Sequence, residues 1–256
     1  MEKTKNSRLK KVVLAATSVL AVASITAGLT VAILSDTDSK TNTFPGSPAI
    51  KLQLNEPLWD GYTDGQGDGT TVNPAAQNKD DLGLTIAGNY QPGSVIPKNP
   101  ALTNTSDDAA VESEYMAMKV EYQVQESTGG EFITITAEQF ARLASINFNT
   151  NAWTKTATDA SGADYYCYGT ADTLTAVAKG AATTPLFTEV TRTKNDVFVL
   201  SSPGKTTYDL GDGKTITWDA NTLPQFKILV YGSAIQADNN TDTYANNTAA
   251  LQALFG

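Results

Sequence analysis

The sequence predicts a mainly β protein: one antiparallel, jelly-roll-like β-sandwich over residues 49–256, with one or two short helices. Two observations lead to this fold class. Short runs that alternate apolar and polar residues recur along the chain, and turn-forming segments rich in Gly, Pro, Asn and Asp separate them. Closely spaced short strands of this kind are typical of Greek-key and jelly-roll sandwiches. A long uncharged apolar segment precedes all of them and predicts an N-terminal signal helix.

Residues 1–32 have the layout of a secretory signal peptide. Five Lys and Arg residues precede an uncharged, largely apolar run from Val12 to Leu34. The small residues Thr30 and Ala32 mark a cleavage site before Ile33. The alternative is an uncleaved transmembrane helix, because about 20 apolar residues suffice to span a bilayer. We therefore expect contact with a signal peptidase during export, and membrane association only before cleavage.

Cleavage would leave residues 33–48 as an N-terminal arm. The arm is mostly polar, contains several β-forming residues, and has apolar side chains at Ile33, Leu34 and Phe44. These three residues are the candidate assembly contacts of the arm. The alternative is a frayed terminus without a function, which is common at the ends of domains.

The clearest predicted strand covers residues 115–125. Its alternate side chains predict one buried and one wet face, as in an antiparallel sheet; the buried set is Met116, Met118, Val120, Tyr122 and Val124. Residues 82–87 also alternate and are predicted to be a strand. An edge strand is expected within residues 90–106, and the other predicted strands cover 49–54, 131–135, 164–170, 173–179, 185–190, 196–200 and 214–218.

Three further segments depart from simple alternation. Thr136 and Gln139 have the spacing of a helix capping box, which predicts a short helix within residues 136–146. Residues 225–236 are apolar on both faces and are predicted to form a central strand. The tail, residues 243–256, carries a weak apolar stripe at helical spacing.

Composition excludes several classes of function. The chain has a net charge of −9 and becomes more acidic once the basic signal is removed, which disfavours nucleic acid as a partner. It contains no histidine, so Ser-His-Asp, Cys-His and His-based zinc catalysis have no residues to use. We expect a protein that is not an enzyme and needs no cofactor. Cys167, the only cysteine, is expected to fill the core.

One loop approaches a calcium-binding pattern. Asp64 and Asp68 have the spacing of the first and third acids in a D-x-D-x-D-G loop. Gln66 replaces the middle acid, and Ala75 stands at the twelfth position, where a bidentate Glu is needed. Further oxygen ligands could come from Asp60, Asp80 and Asp81. A solvated surface loop is the alternative.

Other polar and aromatic residues have simpler interpretations. Glu112 and Glu114, or Asp107 and Asp108, could act as acid and base, but exposed loop acids are the default. Sugars could stack on the Trp residues and on the Tyr residues of 164–168, although packing in the core and at its rim also explains them.

Four stretches resemble one family of secreted proteins. They are residues 32–47 (AILSDTDSKTNTFPGS), 92–122, 164–190 with DYYCYGT and TTPLFTEV, and 226–238 (FKILVYGSAIQAD) followed by an Ala-rich tail. Together they are similar to proteins processed by the SipW-type signal peptidase, the family of the TasA biofilm-fibre subunit and camelysin. The resemblance covers most of the mature chain, in the expected order.

The resemblance implies a jelly-roll-like sandwich that is exported to the biofilm matrix or cell surface of a Gram-positive bacterium. For fibre-forming members it also implies self-association by donor-strand exchange, in which the N-terminal segment of one subunit completes the sheet of the next. The metalloprotease label of camelysin-type relatives does not fit a chain without histidine. The alternative function is a secreted binding module of the same fold that recognises carbohydrate or a host protein.

Overall fold

A computed structural model describes residues 50–107, 113–194, 198–220 and 222–237. The cleavage-site residues Thr30, Ala32 and Ile33, the arm residues Leu34 and Phe44, and the predicted tail helix therefore lie outside the described residues. Helices in the described part are too short to cross a membrane.

The described chain is mainly β, and its antiparallel sheets curl into a half-barrel. Fourteen strands follow the chain as β1 Leu52–Asn55, β2 Val95–Pro97, β3 Ala101–Asn104, β4 Ser113–Gln125, β5 Phe132–Ile135, β6 Ala144–Ile146, β7 Trp153–Thr158, β8 Asp164–Tyr168, β9 Val177–Ala178, β10 Glu189–Arg192, β11 Phe198–Ser202, β12 Lys205–Gly211, β13 Lys214–Asp219 and β14 Phe226–Gln236. The helices are α1 Pro57–Asp60, α2 Gly83–Ala87 and α3 Ala137–Ala141, and Lys79–Asp81 forms a 3₁₀ turn.

The strands form four sheets. The largest runs β14-β4-β8-β7, with β5 and β9 also paired to β4. The other sheets are β1-β3, β2-β10-β6 and the meander β11-β12-β13. Every pairing between these strands is antiparallel. The long strand β4 is therefore the centre of the largest sheet.

The predicted buried face of β4 is confirmed. Its five alternate apolar side chains are each at most 1% exposed and belong to the main core. The opposite face is not uniformly wet, because Tyr115 and Ala117 pack with Cys167 and Leu174 in a second, smaller cluster. The segment that includes Leu174 thus covers one end of this opposite face of β4.

The predicted helix after β5 is confirmed with its cap. The Thr136 hydroxyl accepts the Gln139 N–H at 3.2 Å, and the Gln139 side chain accepts the Thr136 N–H at 3.1 Å. This reciprocal pair satisfies two N–H groups that a helix start leaves open. The helix ends after Ala141, earlier than the predicted segment, because the chain enters β6 at Ala144.

The prediction of a strand at residues 82–87 is wrong. Leu82 precedes helix α2, and the Ile86 N–H donates to its carbonyl at 3.0 Å. A Cβ at Gly83 would lie 1.8 Å from the Pro97 carbonyl oxygen, so the missing side chain lets the helix sit directly on β2. The described residues contain three short α-helices, not one or two, because α1 forms at Pro57 and α2 forms where a strand was predicted.

Candidate functional site

In the described part of the chain, strand β14 stands at the end of the largest sheet and not at the predicted central position. It pairs with β4 along its whole length, from Phe226 opposite Val124 to Gln236 opposite Glu114. Among the described residues no strand pairs with its other side. The apolar character of both faces has another cause, which is the groove described below.

The register fixes which backbone groups of β14 point to the open edge. The Gln125 N–H donates to the Gln225 carbonyl at 2.8 Å, and the Ala237 N–H donates to the Ser113 carbonyl at 3.0 Å. Odd-numbered residues of β14 therefore bond to β4, and even-numbered residues direct their N–H and C=O groups outward. The outward set contains Phe226, Ile228, Val230, Gly232 and Ala234. Nine residues of this edge, about 30 Å long, are geometrically suited to accept another strand.

A groove of about 960 Å³ lies beside this edge. Phe226, Ile228 and Val230 form one wall with half-buried side chains that also pack on the core. Residues of α1, α2, β2 and β10 and of the segment after α2 form the other wall; they include Trp59, Leu84, Tyr90, Ile96 and Val190. The groove thus lies between β14 and these elements.

Aromatic contacts hold the wall of the groove in place. The ring centroids of Phe226 and Tyr90 lie 5.6 Å apart, and those of Phe226 and Phe140 lie 5.3 Å apart in an edge-on arrangement. The Tyr90 hydroxyl also donates to the Pro224 carbonyl. The groove is therefore a preformed feature, because packed neighbours fix its aromatic side chains.

One buried ion pair lies among the apolar side chains of the groove. The Lys98 ammonium contacts the Glu56 carboxylate, and both side chains are only about one-tenth exposed. The Lys98 ammonium also lies 4.8 Å from the centre of the Trp59 ring. Glu56 Oε1 is buried without a hydrogen-bond partner among the described residues. Such a pair specifies geometry more than it adds stability, because removing two charges from water is costly.

The opposite edge of the same sheet is protected. Strand β7 changes register between Lys155 and Ala157, which marks a bulge, and it is rich in threonine. Bulges and charged side chains are common devices against strand addition. The β14 pairing shows no such register change, although each of the two strands has one lysine. The two edges are thus unequal, and β14 is the one suited to pairing.

The predicted calcium residues cap turns of a surface loop. Asp68 Oδ1 accepts the N–H groups of Thr70 and Thr71 at 2.8 Å each, which lowers the pKa of Asp68. Asp64 Oδ1 accepts the Gln66 N–H at 3.2 Å. The described residues contain no group of three or more Asp, Glu, Cys or His side chains arranged to hold a metal ion. Calcium binding at this loop stays a prediction.

Asp60, a further candidate ligand, is instead buried beneath that loop. It is 4% exposed, and its Oδ1 accepts the Tyr62 N–H at 3.0 Å. Burial raises the pKa of Asp60. The candidate ligands Asp80 and Asp81 lie in the exposed 3₁₀ turn before α2.

One of the candidate sugar-stacking tyrosines, Tyr165, lies in a row across three strands with Lys119 and Tyr231. Tyr165 and Tyr231 face Lys119 from either side, and the Lys119 ammonium lies 5.8 Å and 5.6 Å from their ring centres. Lys119 also pairs with the Glu121 carboxylate at 2.5 Å. The Lys119 ammonium is therefore within cation–π distance of both rings. Trp153 and Trp218 are each 2% exposed and serve the core.

Two residues with reactive groups are buried. Cys167 has no exposed surface, and burial raises the pKa of its thiol to about 11. Glu114 was expected to be an exposed loop acid, which is wrong: it lies in β4, is completely buried, and has a pKa raised to about 7 by burial. Sequence alternation gave one signal for this, because Glu114 shares the parity of the buried Met116 and Met118.

Neither the comparison with protein-family models nor the comparison with curated proteins gives a match.

Proposed function

We propose that the mature protein is a secreted, non-enzymatic structural subunit that assembles into fibres by donor-strand exchange. In this assembly the arm of one copy, residues 33–48, lies against β14 of the next copy. The supporting observation is the edge of β14, which is long, regular and apolar, has no second partner strand among the described residues, and borders a preformed groove. Strand addition needs both features, because backbone bonds give affinity and side-chain pockets give specificity.

The length and position of the arm favour it as the occupant. Sixteen extended residues reach about 50 Å, which exceeds the roughly 30 Å of the β14 edge. The described chain starts at Ile50, two residues after the last residue of the arm, and Leu52 lies against Gly232 in β14. Ile33, Leu34 and Phe44 are the apolar side chains that the arm could place in the groove.

The cellular setting belongs to the same proposal. The basic and apolar leader supports export and cleavage by a signal peptidase, and the acidic composition supports solubility outside the cell. The four stretches that resemble the SipW-dependent family support a place in the matrix or on the surface of a Gram-positive bacterium. They also support a jelly-roll arrangement of the sandwich. While the signal is attached, the membrane would retain the arm, so assembly would follow cleavage.

A complementation experiment tests the exchange. One variant lacks residues 33–43 and keeps the β14 edge; the other carries Ile228→Pro and keeps the arm. Ile228 directs its N–H away from β4, so proline blocks the edge and leaves the β4 pairing bonds intact. Ile228→Val is the matched control, and circular dichroism with thermal melting verifies that each variant is folded.

We expect wild-type mature protein and Ile228→Val to form filaments in electron micrographs, and each of the two defective variants alone to form none. Mixed together, the two variants should give a one-to-one dimer on size-exclusion chromatography, because one arm fills one groove. Filaments from the arm-deleted chain would overturn the proposal. So would a wild-type monomer whose own arm fills its groove, or a monomer that binds glycans instead.

A further inference from the structure

A small polar cavity lies beneath the loop that follows α1, beside the large groove. It has a volume of about 30 Å³, and the side chains of Asn55, Glu56 and Asp60 line it. Gly67 and Gly69 of the loop also line it, and a Cβ at Gly67 would lie 2.4 Å from Asp60 Oδ2. At roughly 10–15 Å³ for one water molecule, the cavity has room for about two bodies of that size.

Glu56 supplies this cavity with a carboxylate oxygen. Its Oε2 contacts the Lys98 ammonium, and Lys98 lines the large groove and not the cavity. Oε1 is therefore the oxygen left for the cavity. It is buried without a hydrogen-bond partner among the described residues, on a side chain that is about nine-tenths buried. A buried carboxylate oxygen without a donor is costly, so this atom points to a ligand in the cavity.

The charges around the cavity favour a cation as that ligand. Among the described residues, Lys98 is the cation that contacts Glu56 and acts on Asp60. Two carboxylates and one ammonium leave one net negative charge when both acids are ionised. Burial, and after it the charge of Glu56, raises the pKa of Asp60, although hydrogen bonds from backbone N–H groups and the charge of Lys98 offset part of this. A cation between the carboxylates would remove their repulsion.

Hydrogen bonds hold the loop over the cavity. The Trp59 indole N–H donates to the Gly69 carbonyl at 2.9 Å, and the Gly65 N–H donates to the Asn55 side-chain oxygen at 3.0 Å. These bonds fix both ends of the lining segment before an ion binds. A preformed lining loses little conformational freedom on binding.

We propose that this cavity binds one calcium ion between Glu56 Oε1 and the Asp60 carboxylate, with backbone carbonyl oxygens of the loop completing the coordination. Calcium accepts carboxylate and carbonyl oxygens in a flexible geometry. Magnesium keeps several of its own water molecules, for which a cavity of this size has no room. The site is distinct from the surface pattern of Asp64 and Asp68, whose carboxylates cap turns.

Bound calcium would tie the loop to α1 at the edge of the groove. Gly69 lines both the cavity and the groove, and Trp59, which donates to its carbonyl, lines the groove. The ion would therefore stiffen this wall of the groove. The value of a stiffer wall for strand exchange rests on the proposed function, whereas binding is a property of one subunit. Binding and exchange are therefore measured separately, the exchange by the complementation experiment above.

Calorimetric titration of the mature protein with calcium chloride tests the site. We expect one ion per chain with a Kd of about 0.1–1 mM, the range of extracellular calcium modules. Asp60→Asn keeps the acceptor of the Tyr62 N–H but removes a charged ligand, so the Kd should rise at least about tenfold. Asp68→Asn removes the same charge from the exposed part of the loop and is the matched control. Its Kd should stay within about twofold of wild type, because solvent and salt screen that charge.

The double variant Glu56→Gln/Lys98→Met is a second probe, should Asp60→Asn fail to fold. It removes the Glu56 charge together with its partner and should also bind calcium at least about tenfold more weakly. Circular dichroism verifies that each variant is folded. A wild-type protein with neither a binding heat nor a rise in Tm in about 10 mM calcium would overturn the proposal. Unchanged affinity in Asp60→Asn or in the double variant would overturn it too, as would loss of binding in Asp68→Asn, which would place the ion at the surface turns.

Discussion

Leu102 of β3 packs directly against the backbone of Gly232 in β14. A Cβ at position 232 would lie 2.4 Å from Leu102 Cδ2 and 2.9 Å from Leu52 Cδ1. The close approach seats the β1-β3 pair on the largest sheet at the end of β14 beyond the groove. Glycine is needed here for space, since Leu102 has no exposed surface and cannot move outward.

Gly232→Ala should therefore destabilise the fold by about 1–3 kcal/mol, the usual cost of an overpacked core. Urea unfolding measures the free energy. Gly88→Ala is the control: Gly88 has ordinary α-helical angles, and its nearest atom to a new Cβ is the Thr85 carbonyl oxygen at 3.3 Å. An equal loss in both variants would contradict the assigned role of Gly232.

The ion pair in the groove should show strong coupling between its partners. Lys98→Met leaves the Glu56 carboxylate buried and unpaired, and we expect a loss of about 3–5 kcal/mol. The double variant Lys98→Met/Glu56→Gln removes both charges and should recover most of this loss. Denaturant melts of the two variants measure the difference, and a double variant no more stable than Lys98→Met would contradict this account.

The capping box of α3 should contribute about 1 kcal/mol. Thr136→Ala removes the acceptor of the Gln139 N–H, and the typical cost of losing such a cap is 0.5–2 kcal/mol. Glu138→Gln changes the neighbouring exposed position without touching the cap and should cost only a few tenths. Thermal melts at pH 7 compare the two, and a larger loss in Glu138→Gln would refute this account.

Glu114 should make the protein less stable as the pH rises. Its pKa is about 7 in the folded state against an ordinary value of 4.5, so between these values the folded state binds more protons than the unfolded state. The free energy of unfolding should fall by up to about 3 kcal/mol from pH 4.5 to pH 7. The difference between wild type and Glu114→Gln, measured by urea unfolding at each pH, isolates this carboxyl group. A difference that stays constant with pH would rule out the shift.

The thiol of Cys167 should be unreactive in the folded protein. Burial raises its pKa to about 11, so the reactive thiolate is scarce at pH 8, and the side chain has no exposed surface. We expect the thiol to react with Ellman's reagent at least about 100-fold more slowly than free glutathione. Full denaturation should restore the ordinary rate. A fast reaction without denaturant would mean that the second cluster opens readily.

The elements that depend on local pattern could be predicted from the sequence. Alternation over residues 115–125 identified β4 and its buried face, because one face of a strand in this position meets the core. The spacing of Thr136 and Gln139 identified α3, because a capping box is completed within four residues. Neither needs knowledge of the rest of the chain.

The prediction failed where a pattern had two physical causes. Alternation of Leu82, Leu84 and Ile86 fits a strand. The segment forms a short helix instead, because Gly83 has no side chain and lets the helix backbone pack on Pro97. Two apolar faces in residues 225–236 fit a central strand, but they also fit an edge strand that borders a groove.

By itself the sequence determined a mainly β chain, an acidic composition and the absence of histidine, since these follow from residue types and their local order. Only the tertiary structure decided that β4 is the one described strand that pairs with β14, that Glu56 pairs with Lys98 and that Glu114 is buried near the start of β4. The pairing partner of a strand and the solvent exposure of a carboxylate depend on residues far away in the chain. Contacts of that kind arise only when the sheets pack together.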